Sequence, residues 1–322
     1  AADEAFQTMF WDEATLAANL SHPNVVQVLD FGEESGQLFM ALEFVDGIDL
    51  KSLSKKLLHS GSSLTAAELA LIIEGVASGL HHVHTATSQS GELLNIVHRD
   101  ISPHNVMLSR DGHVKVMDFG VAHAEVRSSK TATGVLKGKL AYMAPEQAND
   151  GRLDHRVDQF ALGLLIWELA VGEPAYQGPN DAVLLRKVLT RELETLETYR
   201  SDLPIALTSL VMKMLELEPE HRYPDMDAVY RAALQCRFAL GESGATAHLG
   251  SVVARVHERL NPISKPTLVP EAPAGTSLSH TQTIEETDPS SSAQPTALYE
   301  PEQHDGVEVL TAMTTLQASD SE

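Results

Sequence analysis

The stretch His98-Arg99-Asp100-Ile101-Ser102-Pro103-His104-Asn105 decides the fold of this chain. It is followed, in order, by Asp118-Phe119-Gly120 and by Ala144-Pro145-Glu146. The first two motifs are separated by residues 106–117, a segment with the length of a β-hairpin. Any one of these motifs is common by chance. All three in this order and at this spacing form a specific pattern.

Length and composition narrow the class of protein. The chain has 322 residues, 43% of them hydrophobic, so it can bury a core in one or two domains. Its formal net charge of −22 argues against a nucleic acid or an anionic membrane as partner, since both favour a basic protein face. A single cysteine, Cys236, excludes an intrachain disulfide and fits a reducing compartment, which predicts a cytoplasmic protein. The sequence shows no signal-peptide pattern and no apolar run of bilayer length.

The three motifs resemble the catalytic loop, the metal-binding triplet and the end of the activation segment of protein kinases, and in particular of bacterial eukaryotic-like Ser/Thr kinases. The resemblance implies an α+β, protein-kinase-like fold, with an incomplete small lobe in residues 1–45 and a mainly helical large lobe in residues 46–240. We expect a helical extension at 241–261. Residues 262–322 are rich in Pro, Ser, Thr and acidic residues, and we expect this tail to be disordered because it cannot bury enough apolar surface.

Local patterns predict the elements that carry these motifs. Apolar residues recur at a helical period from Phe6 to Leu20, among them Phe10 and Leu16, and two strands with a turn between them follow. Thr65 and Glu68 are spaced for a capping box at the start of a helix. The strands are predicted at 25–31 and 37–44, and further helices at 49–59, 65–86, 158–171 (buried on all sides), 180–190, 204–217, 224–239 and 245–260.

The resemblance implies three residues for phosphoryl transfer, a reaction that depends on positioning and charge stabilisation. Asp100 takes the position of the catalytic base. Asn105 and Asp118 take the positions of the two metal ligands, and their oxygen atoms suit Mg²⁺. ATP and Mg²⁺ are therefore the implied cofactors. The alternative for any one of these residues is an ordinary polar turn, which is improbable for all three in register.

An adenine site is implied upstream. Glu43-Phe44-Val45-Asp46-Gly47 resembles the hinge, where backbone groups of Glu43 and Val45 would bond the adenine edge. Leu42 would be the gatekeeper and Met107 would lie under the ring, although plain core packing explains both equally well. Asp49 is expected either to reach the ribose or to cap the following helix.

Five residues resemble structural partners in the kinase family. Asp158 would anchor the backbone of the catalytic loop. Glu146 and Arg222 would form a buried ion pair that ties the activation segment to the helical lobe. His98 and Phe119 would stack in the regulatory spine.

Hydroxyl groups in the activation segment suggest a switch. Arg99 precedes Asp100, which in the family marks kinases that are activated by phosphorylation of this segment. Thr131 and Thr133 resemble the paired threonines that bacterial members autophosphorylate, and a phosphate there could pair with Arg99. The alternative is a loop with solvated hydroxyl groups.

Two positions depart from the family pattern. Ser102 stands where Ser/Thr kinases usually carry Lys, and Lys139 stands where they usually carry Thr. Because both positions face the catalytic Asp in the family fold, we hypothesise a swap in which Lys139 supplies the cation and Ser102 the hydroxyl. These departures leave the Ser/Thr preference less secure, although nothing in the segment suggests a tyrosine-kinase pattern.

The upstream part of a kinase is missing from the sequence. Glu13 resembles the helix glutamate that holds a strand lysine, the alternative being an exposed helix carboxylate. Only twelve residues precede Glu13, and no Lys or Arg occurs before Lys51. No Gly-rich loop is present either. We therefore expect the chain to be an N-terminally truncated part of a complete kinase, and we expect this part to bind ATP poorly.

Three candidate functions are consistent with these motifs. The first is a Ser/Thr protein kinase with protein substrates and a signalling role; the second is a pseudokinase that acts as a scaffold; the third, weaker one is a small-molecule phosphotransferase. Retention of Asp100, Asn105 and Asp118 argues against the second, and the Ala144-Pro145-Glu146 segment end argues against the third. Threonines among acids at 281–288 could form a site for a phosphothreonine-reading partner, although a solvated run is the simpler explanation.

Overall fold

The computed structural model describes residues 2–88, 90–118, 140–149, 153–241 and 245–260. The elements in these ranges belong to one compact unit. Helix and strand are mixed and helix predominates, so the prediction of an α+β fold is confirmed. The predicted tail, 262–322, lies outside the described residues.

A helix and a hairpin form the first layer. Helix α1 (Ala2–Ala18) packs on the antiparallel pair β1 (Val28–Glu34) and β2 (Gln37–Leu42). Positive φ angles of 54° at Ser35 and 80° at Gly36 shape the tight turn between the strands. The predicted apolar face of α1 is partly wrong, because Phe10 is buried but Leu16 is 39% exposed.

A second, three-stranded antiparallel sheet follows the hinge segment. Its order is β3 (Gly47–Asp49), β4 (Val106–Ser109) and β5 (Val114–Val116). The predicted second strand, 37–44, ends earlier, at Leu42, and the chain re-enters a sheet at Gly47. A Cβ atom at Gly47 would collide with the carbonyl group of Leu108, so the close approach of β3 to β4 requires glycine there.

Helices build the rest of the unit around one apolar core. They are α2 (Leu50–Ser60), α3 (Ala66–His84), α4 (Pro145–Ala148), α5 (Arg156–Val171), α6 (Asp181–Leu189), α7 (Leu196–Tyr199), α8 (Ile205–Met214), α9 (Met226–Ala239) and α10 (Ala245–Leu260), with a 3₁₀ turn at Pro219–His221. The capping box of Thr65 and Glu68 is confirmed at the start of α3. Helix α5 is buried from Val157 to Ala170, as its strongly apolar sequence predicts, although the buried positions include Asp158, Gln159 and Glu168.

Helix α10 packs against α2, α3, β3 and β4. Leu249 and Val253 on α10 join the core. His248 Nδ1 lies 2.8 Å from Oε1 of the buried Glu68, so one carboxylate serves both the α3 cap and the contact with α10. A Cβ atom at Gly250 would lie 2.5 Å from the carbonyl oxygen of Arg110, which shows how closely α10 approaches the β4–β5 turn.

Among the helices that the structure describes, none combines the length and the apolar character needed to cross a membrane.

Candidate active site

The catalytic loop is held by a carboxylate from α5. Asp158, which is fully buried, accepts hydrogen bonds from the backbone N–H groups of His98 (2.8 Å) and Arg99 (2.6 Å). The same carboxylate lies 2.7 Å from Nε2 of His84 on α3. Two helices therefore fix the loop backbone directly before Asp100.

Asp158 remains a strong acceptor despite its burial. Desolvation by burial tends to raise the pKa of its carboxyl group. The hydrogen bond and charge of His84, the charge of His98 and the N–H of Arg99 outweigh this effect, so the pKa lies below its usual value. The carboxylate is therefore ionised at neutral pH and able to hold the loop.

His98 connects the catalytic loop to the strand that leads to Asp118. The backbone N–H of Asp100 donates to Nδ1 of His98 (3.3 Å), so in the neutral form of the ring the proton resides on Nε2. Nε2 in turn donates to the carbonyl oxygen of Met117 at 3.0 Å. The sequence predicted a ring stack of His98 with Phe119, but Phe119 lies outside the described residues.

Asn105 connects the loop residue Asp100 to the strand that precedes Asp118. Its side-chain amide donates to the backbone oxygen of Asp100 (2.8 Å) and, over a longer distance, to Oδ2 of Asp100 (3.4 Å). Its backbone oxygen accepts from the N–H of Met117 at 3.0 Å. The end of the loop is thereby tied to the residue that precedes Asp118.

The pKa of Asp118 responds to its surroundings, which include Asp100 and His98. The Asp118 side chain reaches solvent, yet the protein desolvates it enough to raise its pKa. The Asp100 carboxylate adds to the rise, and His98 opposes it. Asp118 and Arg99 also have positive φ angles of 59° and 63°, a strained conformation for residues with side chains that is common at functional sites.

The oxygen atoms of Asn105 and Asp118 suit a Mg²⁺ ion that also binds water and phosphate, and they do not suit a metal ion held by protein ligands alone. Among the described residues, no cluster of three or more His, Cys, Asp or Glu side chains could hold a metal ion. Mg²⁺, however, is usually bound by one or two protein oxygen ligands together with water and substrate phosphates. The amide of Asn105 and the carboxylate of Asp118 supply this kind of partial site.

The hinge candidate Glu43 is linked to the β3–β4–β5 sheet. The backbone N–H of Glu43 donates to the carbonyl oxygen of Gln27 at 2.8 Å, so this N–H already has a partner within the protein. Oε1 of Glu43 pairs with Nζ of Lys115 at 2.7 Å, and Lys115 lies on β5 shortly before Asp118. This ion pair, which no local sequence pattern predicts, connects the hinge candidate to β5, the strand that leads to Asp118.

The remaining candidates for the adenine site are all half-buried, and strand pairing brings two of them together. They are Leu42, Val45, Asp49 and Met107. Asp49 lies opposite Met107 in the register of β3 and β4. The Asp49 carboxylate accepts from the N–H of Ser52 (2.8 Å), so it is the N-cap of α2, one of the two roles that the sequence allowed. Leu42 follows at the end of β2, and Val45 lies between the two sheets along the chain.

A buried ion pair fixes the end of the activation segment. Nη1 and Nη2 of Arg222 donate to Oε1 and Oε2 of Glu146 at 2.7 and 2.9 Å. The Arg222 side chain is completely inaccessible to solvent. Arg222 and Glu146 are thus brought together as the resemblance implied.

Several predicted residues lie outside the description. Lys139, Thr131 and Thr133 lie in the range 119–139, which the structure does not describe. Glu13 lies on α1, but the placement of its side chain is not described. Ser102 is half-buried in the catalytic loop, and its backbone oxygen accepts from the N–H of Asn105 at 3.0 Å.

Sequence reasoning also missed His84. It lies among several histidines at the end of α3, and no local pattern distinguishes the one that reaches Asp158. Lys115 alternates with the buried Val114 and Val116, a strand pattern that signals an outward side chain but not its partner.

Comparison with known proteins places the geometry in context. A family model described as "Protein kinase domain" matches residues 1–233. The tyrosine-protein kinase MasK of Myxococcus xanthus is 40% identical over 223 residues, which are 69% of this chain and 34% of MasK. The serine/threonine-protein kinase PrkC of Bacillus subtilis is 32% identical over 234 residues, which are 72% of this chain and 34% of PrkC. The chain thus spans about a third of the length of these relatives.

A solved structure shares the architecture. The crystal structure of a mutant form of the PknI kinase domain of Mycobacterium tuberculosis superposes with a TM-score of 0.53 and 28% sequence identity. The match covers 73% of this chain and 80% of that one.

Proposed function

Because the chain belongs to the protein kinase family, we propose that it transfers the γ-phosphate of ATP to Ser or Thr hydroxyl groups of protein substrates. One observation carries the proposal: the loop held by Asp158 keeps Asp100 in hydrogen-bond contact with Asn105, next to the strand that leads to Asp118. A base and two metal ligands are the groups that phosphoryl transfer requires.

In the proposed reaction the substrate hydroxyl oxygen attacks the γ-phosphorus, and the bond to the oxygen that bridges the β- and γ-phosphates breaks. Asp100 accepts the hydroxyl proton. Asn105 and Asp118 would hold Mg²⁺, which would supply positive charge next to the phosphate oxygens. The ion pairs and hydrogen bonds around Asp158 keep these side chains oriented, so that little reorganisation is needed when the substrates bind.

For the nucleotide we propose the groups that the hinge resemblance implied. The Glu43 carbonyl and the Val45 backbone bind the adenine edge, and Leu42 and Met107 enclose the ring. Asp49 can approach the ribose through the carboxylate oxygen that does not cap α2. Glu13 would hold a lysine against the phosphates, as in the family.

The experiment is a phosphotransfer assay of the intact protein, including any sequence before Ala1, with γ-labelled ATP, Mg²⁺ and a general protein substrate. We expect Asp100→Asn to lower kcat by at least about 10²-fold, because general-base catalysis contributes that much or more. Asp118→Asn should also lower activity and raise the Mg²⁺ requirement. The control is Asp111→Asn, a change of the same kind at an exposed position on the β4–β5 turn, which should leave activity intact. Equal activity of wild type and Asp100→Asn would contradict the role of Asp100, and absence of phosphotransfer by the intact wild type would support the scaffold function instead.

Tyrosine is a second candidate acceptor. The observation in its favour is the 40% identity to a protein named as a tyrosine kinase, together with the departure from the Ser/Thr pattern at Ser102. Phosphoamino-acid analysis of the labelled product distinguishes the two. Phosphotyrosine as the main product would contradict the Ser/Thr assignment.

We also propose autophosphorylation at Thr131 and Thr133. Phosphopeptide mapping after incubation with ATP and Mg²⁺ tests this, and the absence of phosphate from both threonines would exclude it. The same mapping covers Thr281, Thr283 and Thr287, whose phosphorylation would create acidic sites for an Arg-lined reader domain.

A further inference from the structure

A buried carboxylate on α5 connects two segments that flank the catalytic loop. Glu168 is 1% exposed. Its Oε1 lies 2.8 Å from Nζ of Lys51, at the start of α2, and its Oε2 accepts a hydrogen bond from the hydroxyl of Tyr142. Tyr142 belongs to the end of the activation segment, shortly before Pro145. Each oxygen of Glu168 therefore binds a different segment.

Lys51 also contacts the catalytic loop itself. Its backbone N–H donates to the carbonyl oxygen of Pro103 at 3.0 Å, and Pro103 lies between Asp100 and Asn105. One residue thus contacts the loop through its backbone and the buried carboxylate through its side chain. The Lys51 side chain is 40% exposed, whereas that of Glu168 is 2% exposed.

The network depends on the charge of Lys51. A buried carboxylate that loses its cation is strongly disfavoured, because nothing else compensates for its desolvation. Among the described residues, Lys51 is the only cation that forms an ion pair with Glu168. The hydroxyl of Tyr142 is a donor that stays protonated, because burial and the adjacent Glu168 raise its pKa well above the usual value. Loss of Lys51 should therefore weaken the support for Tyr142.

Tyr142 lies in a well-anchored part of the segment. The neighbouring Leu140 and Ala144 are buried, and Glu146 is tied to Arg222. The Arg222 contact fixes the segment to the helical lobe. The Glu168 contact connects the segment, through Lys51, to α2 and to the loop around Asp100. The contacts of Lys51 and Glu168 therefore join the segment end to the loop that carries Asp100, whereas the nucleotide is proposed to bind at Asn105, Asp118 and the hinge.

We propose that Lys51 is a positioning residue for the protein substrate, because its pairing with Glu168 holds Tyr142 and the segment end in register with the catalytic loop. The proposal rests on the proposed kinase function. It concerns binding of the phosphate acceptor and not binding of ATP, so the two Michaelis constants should respond differently when Lys51 is changed.

The test compares three variants in steady-state kinetics with ATP and a protein substrate. Lys51→Met should raise KM for the protein substrate about tenfold, a typical effect for coupled sites, and leave KM for ATP within about twofold. Lys51→Arg keeps the charge and should retain most of the substrate affinity. Lys55→Met is the matched control, since Lys55 is an exposed lysine on the same helix. An unchanged protein KM in Lys51→Met, or an equal rise in both constants, overturns the proposal.

A second measurement tests the coupling of Lys51 and Glu168 without relying on kinase activity. Urea unfolding of Lys51→Met, Glu168→Gln and the double variant forms a double-mutant cycle. We expect the double variant to lose less stability than the sum of the single variants, because Gln at position 168 leaves no unpaired charge. Additive losses overturn the coupling. If the wild type transfers no phosphate, both the proposed function and the positioning role fail, and coupling in the cycle then shows a purely structural ion pair.

Discussion

Arg222 and Glu146 form a bidentate ion pair, with N–O distances of 2.7 and 2.9 Å, between the segment that follows α8 and the start of α4. The remaining donors of Arg222 bind the backbone oxygens of Glu216, Arg156 and Leu217. A single buried guanidinium thus satisfies one carboxylate and three carbonyl groups. The planar fork of arginine permits this arrangement, and lysine could not reproduce it.

Substitution of Arg222 should be among the most damaging single changes in the chain. We expect Arg222→Ala to lower the free energy of unfolding by about 3–5 kcal/mol, because Glu146 and three carbonyl groups lose their partner in a buried site. Arg231→Ala is the control, since Arg231 forms an exposed pair with Asp227 that is worth at most about 0.5 kcal/mol. Urea unfolding measures both changes. Similar losses in the two variants would contradict the assigned role.

Asp158→Asn should destabilise the protein in a pH-dependent manner. The folded pKa of Asp158 lies below its ordinary value of 3.8, so its stabilisation is complete above that value and is lost as the pH falls through the folded pKa. We expect a loss of about 3 kcal/mol at pH 7, because charge-assisted hydrogen bonds to two N–H groups are removed. The difference from wild type should shrink as the pH falls below about 4.

Unfolding curves at several pH values check this expectation, with Asp202→Asn as control. Asp202 pairs with Arg200, but its own side chain is 65% exposed, so its replacement should cost much less than that of the buried Asp158. A loss for Asp158→Asn that stays constant from pH 7 to the acid limit would contradict the role of its charge.

The hypothesis that Ser102 and Lys139 have exchanged roles predicts a rescue. Lys139→Thr alone should lower kcat by roughly a hundredfold, the usual effect of losing one group that stabilises transition-state charge. The double change Ser102→Lys with Lys139→Thr should restore part of the activity. Lys137→Thr, a nearby change of the same kind, serves as control in the same phosphotransfer assay. A neutral Lys139→Thr would refute the swap.

The close contact of α10 with the β4–β5 turn predicts that Gly250→Ala destabilises the protein. Gly250→Ala adds a methyl group 2.5 Å from a backbone oxygen, and this overpacking should cost about 1–3 kcal/mol. Helix propensity alone would stabilise the variant by about 1 kcal/mol, so a net loss identifies the tight contact. Ser251→Ala, on the exposed side of α10, should be close to neutral. Thermal unfolding decides, and a higher Tm for Gly250→Ala would exclude the contact.

Local sequence patterns predicted most helices well. The capping box at Thr65 and Glu68 appears in the structure, and α6, α9 and α10 begin and end within a few residues of the predicted positions. These features depend on neighbours three or four residues apart, which the sequence displays directly. The exposure of Leu16 was missed because an apolar period does not reveal which helix face the rest of the protein covers.

Strand β3 shows the limit of local patterns. Gly47, Ile48 and Asp49 pair with residues 107–109, far along the chain. Three residues have no period to detect, and strand propensity depends mostly on the partner strand. The position of Asp49 opposite Met107 therefore required the tertiary structure.

The sequence by itself determined most of the helices, the capping box of α3 and the family of this protein, because these follow from local periodicity and from motifs of fixed order. Only the tertiary structure decided which charges meet. Lys51 and Lys55 differ little in local context, yet Lys51 pairs with a buried carboxylate and Lys55 faces solvent. The physical reason is that pairing and desolvation of charge depend on which distant segments pack together, and this information is absent from any one stretch of chain.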